Sequence, residues 1–423
     1  MEHYAVVFGQ RIAINLHNMF NGRILLETTV RTFEQTHSWL KFAADLHQAS
    51  PSLWIALGEC QSKCEHISRM PLRPDTAEQL YKLYLAKGAA ATTAIEGNSL
   101  SEEQVRQHLE GKLKLPPSQQ YLQKEVDNII QACNAILKAI GDGQNPSLDA
   151  GGMLNLNRRI LEGLSLEPEV KPGEIRTHSV LVGRYRGAPA EDCDFLLTKL
   201  AEWLSGDDFK PAPGLEIAYA TLKAVVAHLY LAWIHPFGDG NGRTARLVEF
   251  QILITSGVPA PAAHLLSNHY NQTRTEYYRR LDNASRSGGD ILPFVTYAVQ
   301  GFLDGLKSQL EFIWAQQWDV IWRNYVHEMF RDRVGHTYVR RRHLVLDLSR
   351  TGKPVSVSEI TQISTRIAEA YARKTRKTLM RDLNELERMN LVERGPQGYR
   401  ARSEQILAFL PPKASRQKMA ANP

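Results

Sequence analysis

Cysteine is scarce in this 423-residue chain, with four in all. That excludes the dense disulfide frameworks of small secreted domains. Cys60 and Cys64, with His66 two residues on, invite a zinc reading. No fourth ligand follows at a recognisable spacing, so buried free thiols on a helix are the favoured reading. Cys133 and Cys193 read as isolated core residues. Long apolar runs are also missing: the longest, Ala224 to Ile234, is about half a membrane span and contains His228. The first residues lack the basic-then-apolar order of a secretory signal. These absences predict a cytoplasmic protein with no membrane partner. Hydrophobic residues at 43% and charged residues at 23% are ordinary for a globular chain, and the length allows two or three domains.

The net charge of +6 is unevenly placed. From Arg331 to Pro423 there are 20 Lys and Arg against 9 Asp and Glu, which leaves the rest of the chain at −5. The basic character belongs to the C-terminal part and points to an acidic partner there.

Two common phosphate-binding patterns are missing as well. No lysine follows a glycine run as a P-loop requires, and no G-x-G-x-x-G follows a strand. What the chain has is the stretch from Ile234 to Arg246, Ile-His-Pro-Phe-Gly-Asp-Gly-Asn-Gly-Arg-Thr-Ala-Arg. An apolar helical run, Leu215 to Ile234, ends at Pro236, which lacks a donor N–H. Gly238, Gly240 and Gly242 allow backbone conformations that a Cβ forbids. A second helix follows from Thr244 to about Thr255. A glycine-rich turn opening a helix makes a concave anion site. Arg243 and Arg246 add positive charge, Asp239 a hard oxygen ligand and His235 a titratable base. The usual groups for acyl, hydride or redox chemistry are absent, whereas phosphoryl or nucleotidyl transfer needs mainly positioning and charge neutralisation.

The stretch resembles the signature of the Fic family, H-x-F-x-[DE]-G-N-G-R-x-x-R, with every functional position filled. The likeness covers roughly residues 75 to 305. It implies a mainly α fold, a helical core with a short β-hairpin, and transfer of AMP from ATP to a hydroxyl of a target protein. By that resemblance His235 is the base that removes the hydroxyl proton, and Phe237 packs inward to fix the turn. Asp239 binds Mg²⁺. Gly238, Gly240, Asn241 and Gly242 cradle the phosphates with backbone and amide donors, and Arg243 and Arg246 hold the β- and γ-phosphates. Tyr278, in Arg274 to Leu281, is the expected wall of the nucleotide pocket, since adjacent tyrosines on a helix face different ways.

Upstream, Asp75 and Thr76 read as caps for a helix running to about Ile95 and ending in Glu96-Gly97-Asn98, a left-handed cap sequence. Ser101 and Gln104 read as a capping box. Thr92 and Glu96 share a face, and a carboxylate at a helix C-terminus opposes the dipole and calls for a cationic partner. Thr92 to Gly97 resembles the family's inhibitory-helix motif, which implies that Glu96 pairs with Arg246 and blocks productive ATP placement; a structural cap is the alternative. Ser179, Val180, Leu181, Val182 and Gly183 read as half of a hairpin. It matches the family's flap, which docks the target by strand addition.

Elsewhere, Tyr4–Phe8 and Arg23–Glu27 carry weak strand patterns, and helix is expected from Ser38, over 120–140, over 152–163 and on to about Gln309. From Tyr338 the expected order is a helix at His343–Leu348, another at Glu359–Ile363, a third at Thr375–Asn390, then a hairpin over 391–401. This resembles a winged helix-turn-helix domain, which docks either DNA or protein. The expected domains are 1–74, partly helical; 75–310, the Fic core with its inhibitory helix; 311–335, a connecting helix; 336–410, the winged helix; and 411–423, a disordered tail. Self-modification and a homodimer are compatible with the sequence. A nucleotide-sensing, winged-helix transcription regulator is the rival function. UMP transfer, phosphate transfer and AMP removal are rival reactions.

Overall fold

The computed structural model describes the strands β1 (His3–Val7) and β2 (Gln10–Ile14) and residues 30–406. The strands pair antiparallel. The strand expected at Arg23–Glu27 and the tail expected from 411 lie outside the described residues. The chain divides into two compact units, 1–310 and 311–423.

In the first unit, α1 (Thr32–Thr36) is followed by an irregular stretch, so helix does not begin at Ser38 as expected. There His37 and Trp39 pack on each other and on Tyr185, and Phe42 takes φ +49° to reach Tyr230. Next, α2 (Pro51–Arg69) buries Cys60 and Cys64, whose thiols are pushed up by burial, while His66 stays exposed. The following helix, α3 (Pro74–Ile95), opens one residue before the expected cap. Pro74 at the first helical position pre-sets the backbone, and Asp75 instead pairs with Arg73 at 3.0 Å. At its other end Gly97 takes φ +103°, its N–H bonds Ala94 O and the Asn98 N–H bonds Thr93 O. The capping box of Ser101 and Gln104 opens α4 (Glu102–Leu109).

Two further helices, α5 (Gln120–Gly141) and α6 (Ala150–Leu161), pack against each other and against the first helix after the glycine-rich turn. The hairpin is shorter than expected: β3 (Leu181–Val182) pairs with β4 (Tyr185–Arg186) through a turn in which Gly183 takes φ +59°. Ser179 and Val180 precede the strand, and Gly187 N–H closes the base on Val180 O. Then α7 (Cys193–Leu204) and α8 (Glu216–Ile234) follow. Helix α8 is long and apolar enough to cross a membrane by length and composition, but it is the buried centre of this unit. Each large side chain it buries, such as Leu229 or Trp233, contributes roughly 1.5–3 kcal/mol.

Helix α9 (Asn241–Thr255) begins three residues earlier than the sequence predicts. Apolar residues lie all round α8, and α2, α7 and α9 pack on its sides. The chain continues through α10 (Leu265–Gln272), α11 (Arg274–Arg286) and α12 (Leu292–Met329). Helix α12 does not stop near Gln309; no proline interrupts it there, and it runs past the division between units.

In the second unit, α13 (His336–Arg350), α14 (Thr365–Tyr371) and α15 (Arg376–Arg388) surround a core of Leu344, Leu348, Ile367, Leu383 and Leu386. The helix expected at Glu359–Ile363 is only a 3-10 turn, Ile360–Gln362. The helix forms later because Ser364 caps it, accepting the Ile367 N–H at 3.3 Å while donating to Asp347 at 2.6 Å. Strands β5 (Val392–Gly395) and β6 (Gly398–Ala401) make a hairpin, extended by a Val355–Tyr399 bridge. Three helices and this hairpin form a winged helix-turn-helix.

Candidate active site

The turn between α8 and α9 is held mainly by side chains that bond its backbone groups. His235 terminates α8 in the left-handed region at φ +51°, an uncommon conformation for a residue with a Cβ. Gly240 takes φ +75°, the position in this turn where glycine's freedom is needed; Gly238 and Gly242 have ordinary φ. At Gly242 a Cβ would lie 2.2 Å from Glu96 Oε1, so a side chain there would displace the Glu96 carboxylate.

Asn241 departs from its expected role. Its Oδ1 accepts the Phe237 N–H at 2.9 Å and its Nδ2 donates to Phe237 O at 2.8 Å. The side-chain amide therefore closes the turn and is not turned toward a phosphate, and this is why helix starts at Asn241. The donors left open to an anion are backbone N–H groups of the first helical turn, which have no acceptor within the helix. Phe237 is buried as expected. Asn157, fully buried on α6, braces the turn: its amide donates to Asp239 O at 3.0 Å and its oxygen accepts the Gly173 N–H at 3.0 Å.

His235 Nδ1 donates to Ala232 O at 3.3 Å, which leaves Nε2 as the basic nitrogen. Burial, with Arg176 adding positive charge, lowers its pKa to about 4 against the pull of Ala232 O, Glu96 and Asp239. The ring is therefore neutral near pH 7, the form a base requires.

Both motif arginines are buried and paired with carboxylates. The Arg243 Nη2 meets both Asp239 oxygens at 3.0 Å, and its Nη1 meets Glu125 at 3.1 Å. Arg246 donates to Thr92 Oγ1 at 2.6 Å, Thr92 O at 3.0 Å and Glu96 Oε1 at 2.6 Å, while its Nη1 has no hydrogen-bond partner among the described residues. Burial works against the charge on Glu96, but Arg246, Arg243 and His235 outweigh it and hold the carboxyl below its ordinary range. Glu96 thus places an anion over the start of α9, where its contact with Gly242 leaves no room for a methyl group.

Asp239 is half exposed, with Gly240 N–H at 2.5 Å from Oδ1. No group of three His, Cys, Asp or Glu among the described residues is close enough to hold a metal. Magnesium needs only one or two carboxylates when substrate phosphates and water complete its shell. Asp239, with lone pairs left over after Arg243 and Gly240, fits that donor set.

The turn opens into a cavity of about 610 Å³, lined by His235, Glu96, Gly242, Tyr277 and Tyr278 and by hairpin residues such as Val182 and Tyr185. Both tyrosines reach it. Tyr277 is buried, its oxygen 2.8 Å from Nε2 of His228, whose Nδ1 stands 3.1 Å from Glu249. Tyr278 is partly exposed and donates to Ile95 O at 3.2 Å. With Arg274, which donates to Ala94 O and Ile95 O, it covers the carbonyl end of α3.

Three residues that brace the site, Asn157, Glu125 and Arg176, were not foreseen from the sequence. Arg176, buried, donates from Nε to His235 O at 2.7 Å, from Nη1 to His178 O at 2.5 Å and from Nη2 to Ala188 O at 2.5 Å. It fastens both ends of the hairpin segment to the carbonyl of the candidate base. Tyr185 adds a bond to Trp233 O at 2.7 Å. Three backbone acceptors leave no mark in a sequence; the only signal was an arginine entering the hairpin.

Residues 147–253 match the Fic/DOC family. Over 224 residues the chain is 31% identical to the Protein adenylyltransferase fic-1 of Caenorhabditis elegans, covering 51% of this chain and 41% of the relative. It is 32% identical over 211 residues to the Protein adenylyltransferase Fic of Culex quinquefasciatus, covering 49% and 38%. The chain thus spans about two fifths of the length of these relatives. A solved Fic family protein from Desulfovibrio desulfuricans G20 superposes with a TM-score of 0.51 at 20% identity, covering 85% of this chain and 98% of that one, a likeness of fold.

Proposed function

We propose that this chain, which carries a Fic domain, transfers AMP from ATP to a side-chain hydroxyl of a protein. The observation that carries the reading is the half-buried, neutral His235 beside a helix N-terminus whose arginine already holds a carboxylate. His235 Nε2 takes the proton of the attacking hydroxyl as its oxygen bonds the α-phosphorus; the bond to the β-phosphate oxygen breaks and pyrophosphate leaves. The first N–H groups of α9, with Arg243 and Arg246, neutralise the phosphates. Asp239 would hold Mg²⁺, which supplies charge neutralisation on the phosphates when bound. The hairpin's exposed Leu181 and Val182 fit a target segment added as a strand, which Arg176 keeps aligned with His235. Glu96 restrains the reaction by occupying Arg246. The target is an external protein or this chain itself, and a homodimer is compatible with either.

The test is transfer of label from ATP carrying it at the α-phosphate to protein, in wild type and in His235→Ala. Protein-bound label that falls about 10²–10⁴-fold in the variant supports the reading. Label transferred only from the γ-phosphate, or only from UTP, contradicts it, and release of AMP from an already modified protein makes removal the reaction.

A further inference from the structure

The basic residues of the second unit fall into two classes. Arg340 and Arg341 both meet the buried Asp382 at 2.8 Å, and Arg366 meets Asp347. Arg388 pairs with Glu385 at 2.9 Å, Arg400 with Glu393 and Glu404, and Arg402 with Glu393. Arg373, Lys374, Arg376, Lys377 and Arg381, by contrast, have no carboxylate partner among the described residues, and all five are exposed. They fall within nine consecutive residues that contain no acid, across the turn from α14 to α15 and the first half of α15.

That placement is unfavourable for the isolated unit. Five like charges repel, and Arg376 and Lys377 stand in the first turn of a helix, where the dipole disfavours cations and no acidic residue offsets them. Leu379, Asp382, Leu383 and Leu386 turn inward, so Lys377, Arg381, Asn384 and Arg388 share the outward face. This stripe is about 16 Å long at 1.5 Å per residue, a length that lies within a major groove. On the hairpin side Arg394, on β5 at the wing, is an exposed cation without a carboxylate partner among the described residues.

We propose that the second unit binds duplex DNA, with α15 in the major groove, Arg373, Lys374, Arg376 and Lys377 on phosphates at its entry, and Arg394 on the backbone at the wing. Arg381 and Asn384 face the base edges, where a guanidinium reads guanine and an amide reads adenine. The segregation favours DNA over an acidic protein surface: the outward stripe is narrow and helical, and its second anionic contact lies on the wing.

Fluorescence anisotropy of the full chain on a mixed-sequence 20-base-pair duplex tests this. Saturable binding is expected whose logarithm falls with log salt at about −0.9 per phosphate neutralised. The variant Arg376→Gln, Lys377→Gln, Arg381→Gln should bind about a hundredfold more weakly at low salt and lower the slope by roughly 2–3. The same charge loss at Lys82, Arg106 and Lys112, exposed residues of the first unit, should leave both quantities within about twofold. If the triple variant fails to fold, Lys377→Gln alone should lower the slope by about 1. The proposal is overturned by absence of binding at low salt, by binding that ignores these substitutions, or by equal affinity for polyglutamate, which would make the face a protein dock.

Discussion

Glu96 Oε1 stands 2.6 Å from Nη2 of Arg246, 150 residues along the chain, and 2.2 Å from where a Cβ on Gly242 would lie. The glutamate belongs to the C-terminal end of α3, where a negative charge is unfavourable, and the arginine to a buried turn of α9 with one nitrogen still unpartnered among the described residues. Each relieves the other.

Replacing Glu96 with glycine therefore has two opposite effects. It leaves Arg246 without its anion, a loss of roughly 1–2 kcal/mol, because Glu96 is one-third exposed and screened. It also frees the anion site. Thermal unfolding should show a lower midpoint without nucleotide and a larger rise on adding ATP and Mg²⁺ than wild type shows. An unchanged midpoint and an unchanged ATP response would remove Glu96 from the site.

The pH profile follows from the His235 ring. Its folded-state pKa is lowered, so the neutral base is present above about 4 and is lost only as pH falls through that value. For Glu96→Gly, kcat/KM should be level from about pH 8 to about 5.5, without an acid limb at the ordinary histidine value near 6.5. Glu96 itself has a lowered pKa, so in wild type its pairing is fully present above the ordinary carboxylate range and weakens as pH falls below it. An acid limb centred at about 6.5 contradicts the burial of His235.

Asn241→Asp separates bracing from phosphate binding. Aspartate keeps the acceptor for Phe237 N–H but loses the donor to Phe237 O. Stability without any nucleotide should fall by ~1–3 kcal/mol in denaturant melts. A variant as stable as wild type would return Asn241 to a role on the ligand alone.

Arg176→Gln should release the hairpin. Three carbonyls, one of them of His235, lose their guanidinium donor. Limited proteolysis within 179–187 should accelerate about tenfold or more, with KM for a protein substrate rising more than kcat falls. Arg176→Lys, which keeps the charge without the fork, should recover only part of this. Equal cleavage rates would make the fastening unimportant.

What the sequence made legible was governed by how local the physics is. The C-terminal cap of α3, formed by Gly97, and the box of Ser101 and Gln104 are contacts within a few residues, and they stand where expected. The Glu96–Arg246 pair spans 150 residues, and it was readable only through motif likeness together with the unfavourable acid at a helix end. Arg176 and the amide of Asn241 were not readable, because their partners are main-chain groups, which leave no residue-type pattern in the sequence. The onset of α14 was missed for a similar reason: Ser364 caps it only because Asp347, 17 residues away, holds the hydroxyl.

Intact-mass spectrometry of wild type, Glu96→Gly and the double variant Glu96→Gly, His235→Ala, each incubated with ATP and Mg²⁺, reads the transfer and its restraint together. An added AMP mass is expected, on this chain or on an added protein, greater in Glu96→Gly than in wild type and absent in the double variant. An added phosphate in place of AMP, or equal AMP incorporation in all three samples, would contradict it.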